Sequence, residues 1–216
     1  MLSADDARAI EARIRVVEQR TGAQVVVAVA NRADRFHGLR WRAFALGTAL
    51  GAVGAVAADV LRPDWTTSHT SILVTMVIVG CGLSSALLAS YWPAFERLLL
   101  QHSRAQEGVQ RRAIALFLER ELFRTPGRNA VLLLAGRFER AVAVLGDTAY
   151  RDRIDAAGWQ RVADATTAGM RGADARAAIV AGLAALESLL TANGFSAAVT
   201  RGDDLPDAPI ELGDAR

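Results

Sequence analysis

The chain contains an apolar stretch without a formal charge, SILVTMVIVGCGLSSALLASYW, at positions 71–92. A second apolar run, AFALGTALGAVGAVAADVL at positions 43–61, carries one charge, Asp59, near its end. As helices these two runs would be roughly 33 and 28 Å long, and a hydrocarbon core is about 30 Å thick. The alternative is a pair of buried core helices, but these are commonly shorter and keep a polar stripe. The pattern therefore predicts a transmembrane hairpin over residues 36–95, with spans at about 43–61 and 71–92.

Arginines are concentrated before the first run and after the second, and not in the connector between the runs. The connector RPDWTTSHT contains only Arg62, which Asp64 offsets. Arginine excess marks the cytoplasmic side of a span, and the N-terminal residues lack the apolar region of a secretory signal. The sequence thus predicts a multi-pass protein of the cell inner (cytoplasmic) membrane with both termini cytoplasmic. The flanking arginines are Arg32, Arg35, Arg40 and Arg42 before the first run, and Arg97, Arg104, Arg111 and Arg112 after the second.

Aromatic and basic residues at the cytoplasmic ends of the runs predict the membrane interface. Tryptophan and tyrosine favour the headgroup level because their rings are amphipathic, and arginine reaches from there to lipid phosphates. Asp59 lies near the outer headgroups, where a carboxylate costs little, so the spans offer no polar pathway for a transporter or channel. The predicted interface residues are Trp41, Arg42, Tyr91, Trp92 and Arg97.

Small residues in both runs predict close helix packing. Gly47 and Gly51 form a G-x-x-x-G step, a spacing that lets helix backbones approach closely. The second run contributes Gly80 and Gly82. Two partners fit this surface, the other span of the same hairpin and a span of another subunit.

The segments on either side of the hairpin predict one α/β unit. Residues 1–35 contain a helix capped by Ser3 and then a strand in AQVVVAVA. Residues 96–194 contain a helix, two strands in NAVLLLAG and RAVAVLGD, and two further helices. This order predicts helices around a small sheet. Residues 195–216 are acidic and poor in apolar groups, and predict a flexible tail.

Several segments resemble the TPM-domain family. IEARIRVVEQRTGAQVVVAVA is similar to the opening of that domain, RNAVLLLAGRFERAVAVLGD to its central hairpin, and GWQRVADATTAGMRGADARAAIVAGLAAL to its final pair of helices. The resemblance covers nearly all the chain except residues 32–105, where the membrane hairpin stands as an insertion. The matching positions are Thr21, Gly22, Ala23, Asn129, Leu132, Leu133, Leu134, Glu139, Arg140, Gly146 and Asp147.

The resemblance implies a mixed αβα sandwich. It also implies one of two activities: weak phosphatase activity with a divalent cation such as Ca²⁺ or Mg²⁺, or a role in assembling or maintaining membrane protein complexes. Because a two-helix hairpin returns the chain to the side on which it began, both pieces of the domain can meet.

Three aspartates form the candidate metal site. Asp147 follows a strand, where α/β folds often place ligand-binding groups, and Asp152 and Asp155 come shortly after it. Carboxylates suit hard cations. However, GDTAYRDRID lacks the spacing of a preformed calcium loop, and an aspartate after a strand is also a common helix cap. Both interpretations of Asp147 stay open.

The remaining chemistry is limited. The chain has no lysine, so it has neither a Schiff-base lysine nor a phosphate-loop lysine, and it has no G-x-S-x-G motif. Its net charge of +2 does not favour nucleic-acid binding. Glu139 and Arg140 are expected to be a solvated pair in a turn.

Two functions fit the sequence. A membrane-tethered domain that binds a protein partner or another copy of itself is favoured, because a metal hydrolase usually needs several convergent ligands. The alternative is a divalent-metal-dependent phosphatase of low activity. The expected partners are the lipid bilayer and a protein, without nucleic acid.

Overall fold

The computed structural model describes residues 3–32, 38–61, 68–92, 102–170, 174–196, 205 and 207–213. The chain divides into two compact units, one formed by residues 1–35 with 102–216, and one by residues 36–101. We call the first the α/β unit and the second the hairpin unit. The elements in chain order are α1 (Ala4–Thr21), β1 (Gln24–Ala30), α2 (Gly38–Leu61), α3 (Ser68–Tyr91), α4 (His102–Glu119), β2 (Ala130–Gly136), β3 (Ala141–Gly146), α5 (Ala156–Met170), α6 (Ala175–Ala192) and β4 (Ile210–Leu212).

Helix α1 begins and ends where local chemistry dictates. The Ser3 hydroxyl accepts a hydrogen bond from the Asp6 backbone N–H, and the Asp6 carboxylate accepts one from the Ser3 backbone N–H, both at 3.0 Å. This capping box satisfies two amide groups that an uncapped helix would leave unpaired. Gly22 ends the helix with φ 70°, a left-handed conformation that favours glycine.

Four strands form a mixed sheet in the order β3-β2-β1-β4. Strands β1 and β2 are parallel, with Gln24 opposite Ala130 and Ala30 opposite Gly136. Strand β3 runs antiparallel to β2, as expected for a hairpin. All residues of β1 and β2 are buried, because the sheet is covered on both faces.

Alternate residues of the central strands face two separate apolar layers. Val25 and Val27 pack in a cluster with residues of α1, α5 and α6. Val26 and Ala28 pack in a second cluster with Val109, Ala113 and Leu116 of α4. Helices therefore lie on both faces of the sheet. The predicted mixed αβα sandwich, with an inserted hairpin of two long apolar helices, is confirmed.

The prediction of a flexible tail over residues 195–216 is wrong for its last described part. Residues Ile210–Leu212 form β4, which pairs in parallel with Ala28–Ala30 of β1. Asp207 holds this segment to α1 through an ion pair with Arg15, 2.8 Å from Nε to Oδ2. Composition concealed the strand because its two apolar residues, Ile210 and Leu212, stand among acidic residues and prolines.

Helix α6 is also long and apolar enough to cross a membrane, as are parts of α2 and α3. However, one side of α6 packs in the core, where Ile179, Leu183 and Leu186 are at most 1% exposed. Its polar side carries Glu187, which binds two arginines of α1. These contacts make α6 part of the core of the α/β unit, as the sequence predicts.

Glu187 joins α6 to α1 through two charge-assisted hydrogen bonds. The donors are Arg20 Nη1 at 2.7 Å and Arg13 Nη2 at 2.5 Å. The hydrogen bond from Arg20, with further help from Arg13, lowers the pKa of this carboxyl below its ordinary 4.5. A lowered pKa in the folded state means that the stabilisation is present above the ordinary pKa and is lost as pH falls through the lowered value.

We expect Glu187→Gln to destabilise the α/β unit near neutral pH and to lose this effect in acid. The melting temperature of the full chain in detergent is measured by circular dichroism at pH values from about 7 down to about 3. The gap between wild type and variant should shrink below pH 4.5, the ordinary pKa of the carboxyl. Glu119→Gln is the matched control, because Glu119 is exposed and its ion pair with Arg112, at 3.5 Å, should contribute little. A difference in melting temperature between wild type and Glu187→Gln that stays constant with pH would contradict the stabilising role of the Glu187 carboxylate.

Candidate functional site

The hairpin unit presents an apolar outer surface. In the windows of α2 and α3 that are long and apolar enough to span a bilayer, only 6% and 11% of residues are buried. Exposed apolar side chains on this scale are unfavourable in water and favourable in lipid. The large ones are Trp41, Leu46, Leu50, Val53, Val56, Val60, Leu61, Ile72, Leu73, Met76, Val77, Val79, Leu83, Leu87, Leu88, Tyr91 and Trp92.

Three of the four predicted packing glycines lie where α2 and α3 approach each other. A Cβ atom at Gly47 would be 2.5 Å from the Cys81 carbonyl oxygen, and one at Gly82 would be 2.5 Å from Thr48 Cγ2. A Cβ at Gly51 would lie 3.2 Å from Ile78 Cα. Helices α2 and α3 are therefore antiparallel and in close contact with each other. We call the line of contact through Gly47, Gly51 and Gly82 the seam.

Gly80 does not take part in this contact. A Cβ added there would meet no atom within 4 Å. Gly80 instead lines a groove of about 950 Å³ on the hairpin surface, together with Gly54, Cys81 and Ser84. Gly80 therefore does not contribute to the contact between α2 and α3, and its packing against another subunit stays a prediction.

The described interface residues lie at one end of the hairpin. Because Gly47 approaches Ser85 in an antiparallel pair, Trp41 on α2 is level with the end of α3, where Tyr91 and Trp92 stand. Trp41 and Tyr91 are 74% and 84% exposed. Arg42 is half-buried on α2. Arg97 lies outside the described residues.

We expect Gly47→Leu to separate α2 from α3, whereas Gly54→Leu leaves them in place. A side chain at Gly47 collides with the backbone of α3, and one at Gly54 enters open space. Cysteines introduced at Leu50 and Leu83 carry nitroxide labels in the full chain with Cys81→Ala. Pulsed electron paramagnetic resonance measures the distance between the two labels. Gly47→Leu should lengthen it by roughly 2 Å, since helices packed through larger side chains lie 8–10 Å apart. An unchanged distance in Gly47→Leu, or equal shifts in both variants, would contradict the seam.

In the α/β unit, Asp147 and Asp155 act as caps. The Asp147 Oδ1 atom accepts the Thr148 N–H at 2.7 Å and caps a short 3₁₀ turn, Thr148–Tyr150. The Asp155 Oδ1 atom accepts the Gly158 N–H at 2.7 Å at the start of α5. Asp152 is exposed. Among the described residues, no three histidine, cysteine, aspartate or glutamate side chains form a group that could hold a metal ion. The structure thus does not bring Asp147, Asp152 and Asp155 together as a ligand set.

The position of Asp147 also differs from the position expected after a strand. Strand β3 is antiparallel to β2, so its last residue, Gly146, lies opposite Val131 near the start of β2. Asp147 is therefore at the amino ends of the parallel strands β1 and β2. The carboxyl ends, where open α/β sheets usually bind ligands, are at the opposite edge. The sequence predicts the hairpin of β2 and β3, but the inference for Asp147 did not consider that the antiparallel course of β3 brings its end to the amino ends of β1 and β2.

Asp147 nevertheless has an unusual environment. Its side chain is 5% exposed, and Arg128 Nη1 lies 3.9 Å from Oδ1. The Oδ2 atom of Asp147 and the hydroxyl oxygen of Thr125 are both buried, and neither has a hydrogen-bond partner among the described residues. Arg128 has φ 48°, a strained conformation for a residue with a side chain. A buried carboxylate beside a strained arginine is a polar feature of this edge that could bind a small polar group.

Tyr150 supports the same edge of the sheet. Its hydroxyl donates to the Asn129 carbonyl oxygen at 2.7 Å, and its ring packs 4.9 Å from that of Phe195. Burial, and secondly the charge of Asp147, raise the pKa of the Tyr150 phenol. Tyr150 therefore remains a neutral hydrogen-bond donor. Sequence reasoning did not identify Thr125, Arg128 or Tyr150, because none belongs to a spaced motif.

At the carboxyl ends of β1 and β2, the structure corrects the expectation for Glu139. The residue is 6% exposed, and its Oε2 atom would lie 2.7 Å from a Cβ atom on Gly136. Glu139 is thus buried over the strand end and is not solvated. Arg140 has φ 49°, and the Arg32 guanidinium stacks 4.1 Å from the Phe138 ring centre.

Comparison with known proteins gives a match at the level of fold. No protein-family model matches the chain, and no curated protein matches it significantly. The chain is similar to the NMR structure of BA42 protein from the psychrophilic bacterium Bizionia argentinensis, with a TM-score of 0.57 and 14% sequence identity. The match covers 98% of this chain and 96% of that one. At this level of identity the match concerns the fold alone, and it agrees with the mixed α/β arrangement of the chain.

Proposed function

We propose that the chain is a membrane-tethered, cytoplasmic TPM-like domain that binds a protein at the membrane and serves its assembly or maintenance. The observation that carries the tether is the outer surface of the hairpin unit, where α2 and α3 expose large apolar side chains along their whole length. Two helices of this kind, long enough to cross the hydrocarbon core, are stable when lipid covers them.

The insertion point supports the same proposal. The hairpin unit follows β1 and precedes α4, and β1 pairs with β2 in the centre of the sheet. The residues on both sides of the hairpin therefore belong to one folded unit, which needs both ends of the hairpin on one side of the membrane. The arginine distribution favours the cytoplasmic side.

Protein binding is favoured over hydrolysis by the arrangement of polar groups. Two of the three predicted acidic ligands cap helical turns, and this use of their oxygens requires no metal. A hydrolytic metal site needs several ligands that converge on one ion. A binding domain held at the membrane needs only a stable fold and an exposed surface.

We expect a cysteine in the connector to be labelled from outside intact cells and a cysteine on α5 to be protected. The variants are Thr67→Cys and Gln160→Cys, each with Cys81→Ala. The reagent is a membrane-impermeant maleimide, because it reaches only thiols on the outer face. Lysed cells provide the control, since Gln160→Cys, at an exposed position, should then be labelled. Labelling of Gln160→Cys in intact cells would exclude the proposed orientation.

A second candidate function is a divalent-metal-dependent phosphatase of low activity. It is favoured by one observation, the buried Asp147 carboxylate, whose Oδ2 atom has no hydrogen-bond partner in the part of the chain that the structure describes. Such an atom is costly to bury, and a cation or a polar ligand group would offset that cost.

We expect that no phosphoester hydrolysis will require both a metal ion and Asp147. We also expect one protein to co-purify with the chain in a fixed ratio from native membranes. Turnover of a model phosphoester would be measured with Mg²⁺, Ca²⁺, Mn²⁺ and chelator. Asp147→Asn is the test variant, since it keeps the Oδ1 acceptor, and Asp152→Asn is the matched control at an exposed position. Metal-dependent turnover that Asp147→Asn alone abolishes would replace the binding function with the phosphatase.

A further inference from the structure

Helix α4 carries the only large exposed apolar side chains that the described residues of the α/β unit present. Ile114 is 46% exposed and Leu118 is 58% exposed, and every other large exposed apolar side chain belongs to the hairpin unit. The two residues are four positions apart, so they lie on one face of the helix. The opposite face of α4 packs on the sheet through Val109, Ala113 and Leu116. Ile114 and Leu118 therefore form an outward apolar stripe, which we call the α4 stripe.

Positive charge accompanies the stripe. Arg111 is exposed and precedes Ile114 by one turn, so it lies on the same face. The segment 102–128 contains six arginines and three glutamates, whereas the whole chain has a net charge of only +2. Three of these arginines and two of the glutamates belong to α4 itself, and the rest follow it in residues 120–128. An exposed apolar stripe with an arginine on the same face is suited to an anionic lipid surface.

The position of α4 in the chain keeps it near that surface. Only residues 93–101 separate Trp92, at the end of α3, from His102, at the start of α4. A fully extended connector of this length reaches at most about 35 Å. Under the proposed function, Trp92 lies at the cytoplasmic headgroups, so α4 begins within that distance of the bilayer.

We infer that the α4 stripe lies on the cytoplasmic leaflet, with Ile114 and Leu118 among the headgroups and acyl-chain ends and Arg111 beside anionic lipid phosphates. This inference rests on the proposed membrane tether. Its consequence is an orientation for the α/β unit. Because α4 covers one face of the sheet and α1, α5 and α6 cover the other, contact through α4 turns the latter three helices toward the cytoplasm. A protein partner would then meet that three-helix layer.

The test uses the full chain in vesicles, with nitroxide labels on single cysteines and Cys81→Ala. Labels are placed at Leu118, at Gln160 on α5 as the exposed control, and at Val56 on α2 as the hairpin control. Power saturation compares collisions with oxygen, which concentrates in lipid, and with a water-soluble nickel complex. We expect Leu118 to favour oxygen, as Val56 does, and Gln160 to favour nickel. The vesicles contain phosphatidylcholine with phosphatidylglycerol.

Each result decides a separate point. If Val56 favours oxygen while Leu118 behaves as Gln160 does, the α4 inference fails and the tether stands. If Val56 itself favours nickel, the tether fails as well. Low collision with both reagents at Leu118 would mean that a protein surface or a second copy covers the stripe, which also overturns the inference. In anionic vesicles, Arg111→Gln should lower the ratio of lipid-exposed to water-exposed Leu118 labels about fivefold, as expected when one basic residue is lost from such a surface. It should have no such effect in vesicles of phosphatidylcholine alone.

Discussion

Parallel pairing of β1 with β2 is the constraint on which the rest of the molecule depends. These strands form the centre of the sheet, and all their residues are buried, yet the whole hairpin unit lies between them in the chain. The pairing exists only if the chain returns to the place it left. Two antiparallel helices satisfy this condition, and a single span does not. The close seam at Gly47 and Gly82 holds α2 and α3 antiparallel, so the second helix returns along the first.

Most of the architecture could be predicted because it rests on local patterns. The capping box of Ser3 with Asp6, the uniformly apolar β1 and β2, and the uncharged run of α3 each have a physical signature in a short window of sequence. Strand β4 lacks such a signature, since three residues are too few to show alternation. Its existence depends on the open edge of β1 and on Arg15, which are distant in the chain. Such a strand is defined by its partners and not by its own residues.

The candidate site was predicted less well for a related reason. Asp147 was correctly identified as the residue that follows a strand, but its chemistry depends on strand direction and on neighbours that no spacing reveals. The antiparallel course of β3 puts it at the amino ends of β1 and β2. There the carboxylate meets the Thr148 amide and the Arg128 guanidinium. Likewise, Glu139 follows a strand in a polar turn, and only the fold shows that it is buried over Gly136. Burial of a charged side chain is a tertiary property, and a single sequence carries little information about it.

The comparison of α6 with α3 shows how two helices of similar length and hydropathy can differ in what covers their apolar side chains. Both meet the length and hydropathy of a span, so composition does not distinguish them. Helix α6 places Ile179, Leu183 and Leu186 in the core and turns Glu187 toward two arginines of α1. Helix α3 has no charged residue at all, and its large side chains are exposed all along its length. Helix α6 therefore buries its apolar side and turns its polar side outward. Helix α3 leaves apolar surface that no described element of the hairpin unit covers. The α/β unit thus buries the apolar side of α6 in its own core, whereas α2 and α3 keep an exposed apolar surface of the kind that lipid would cover.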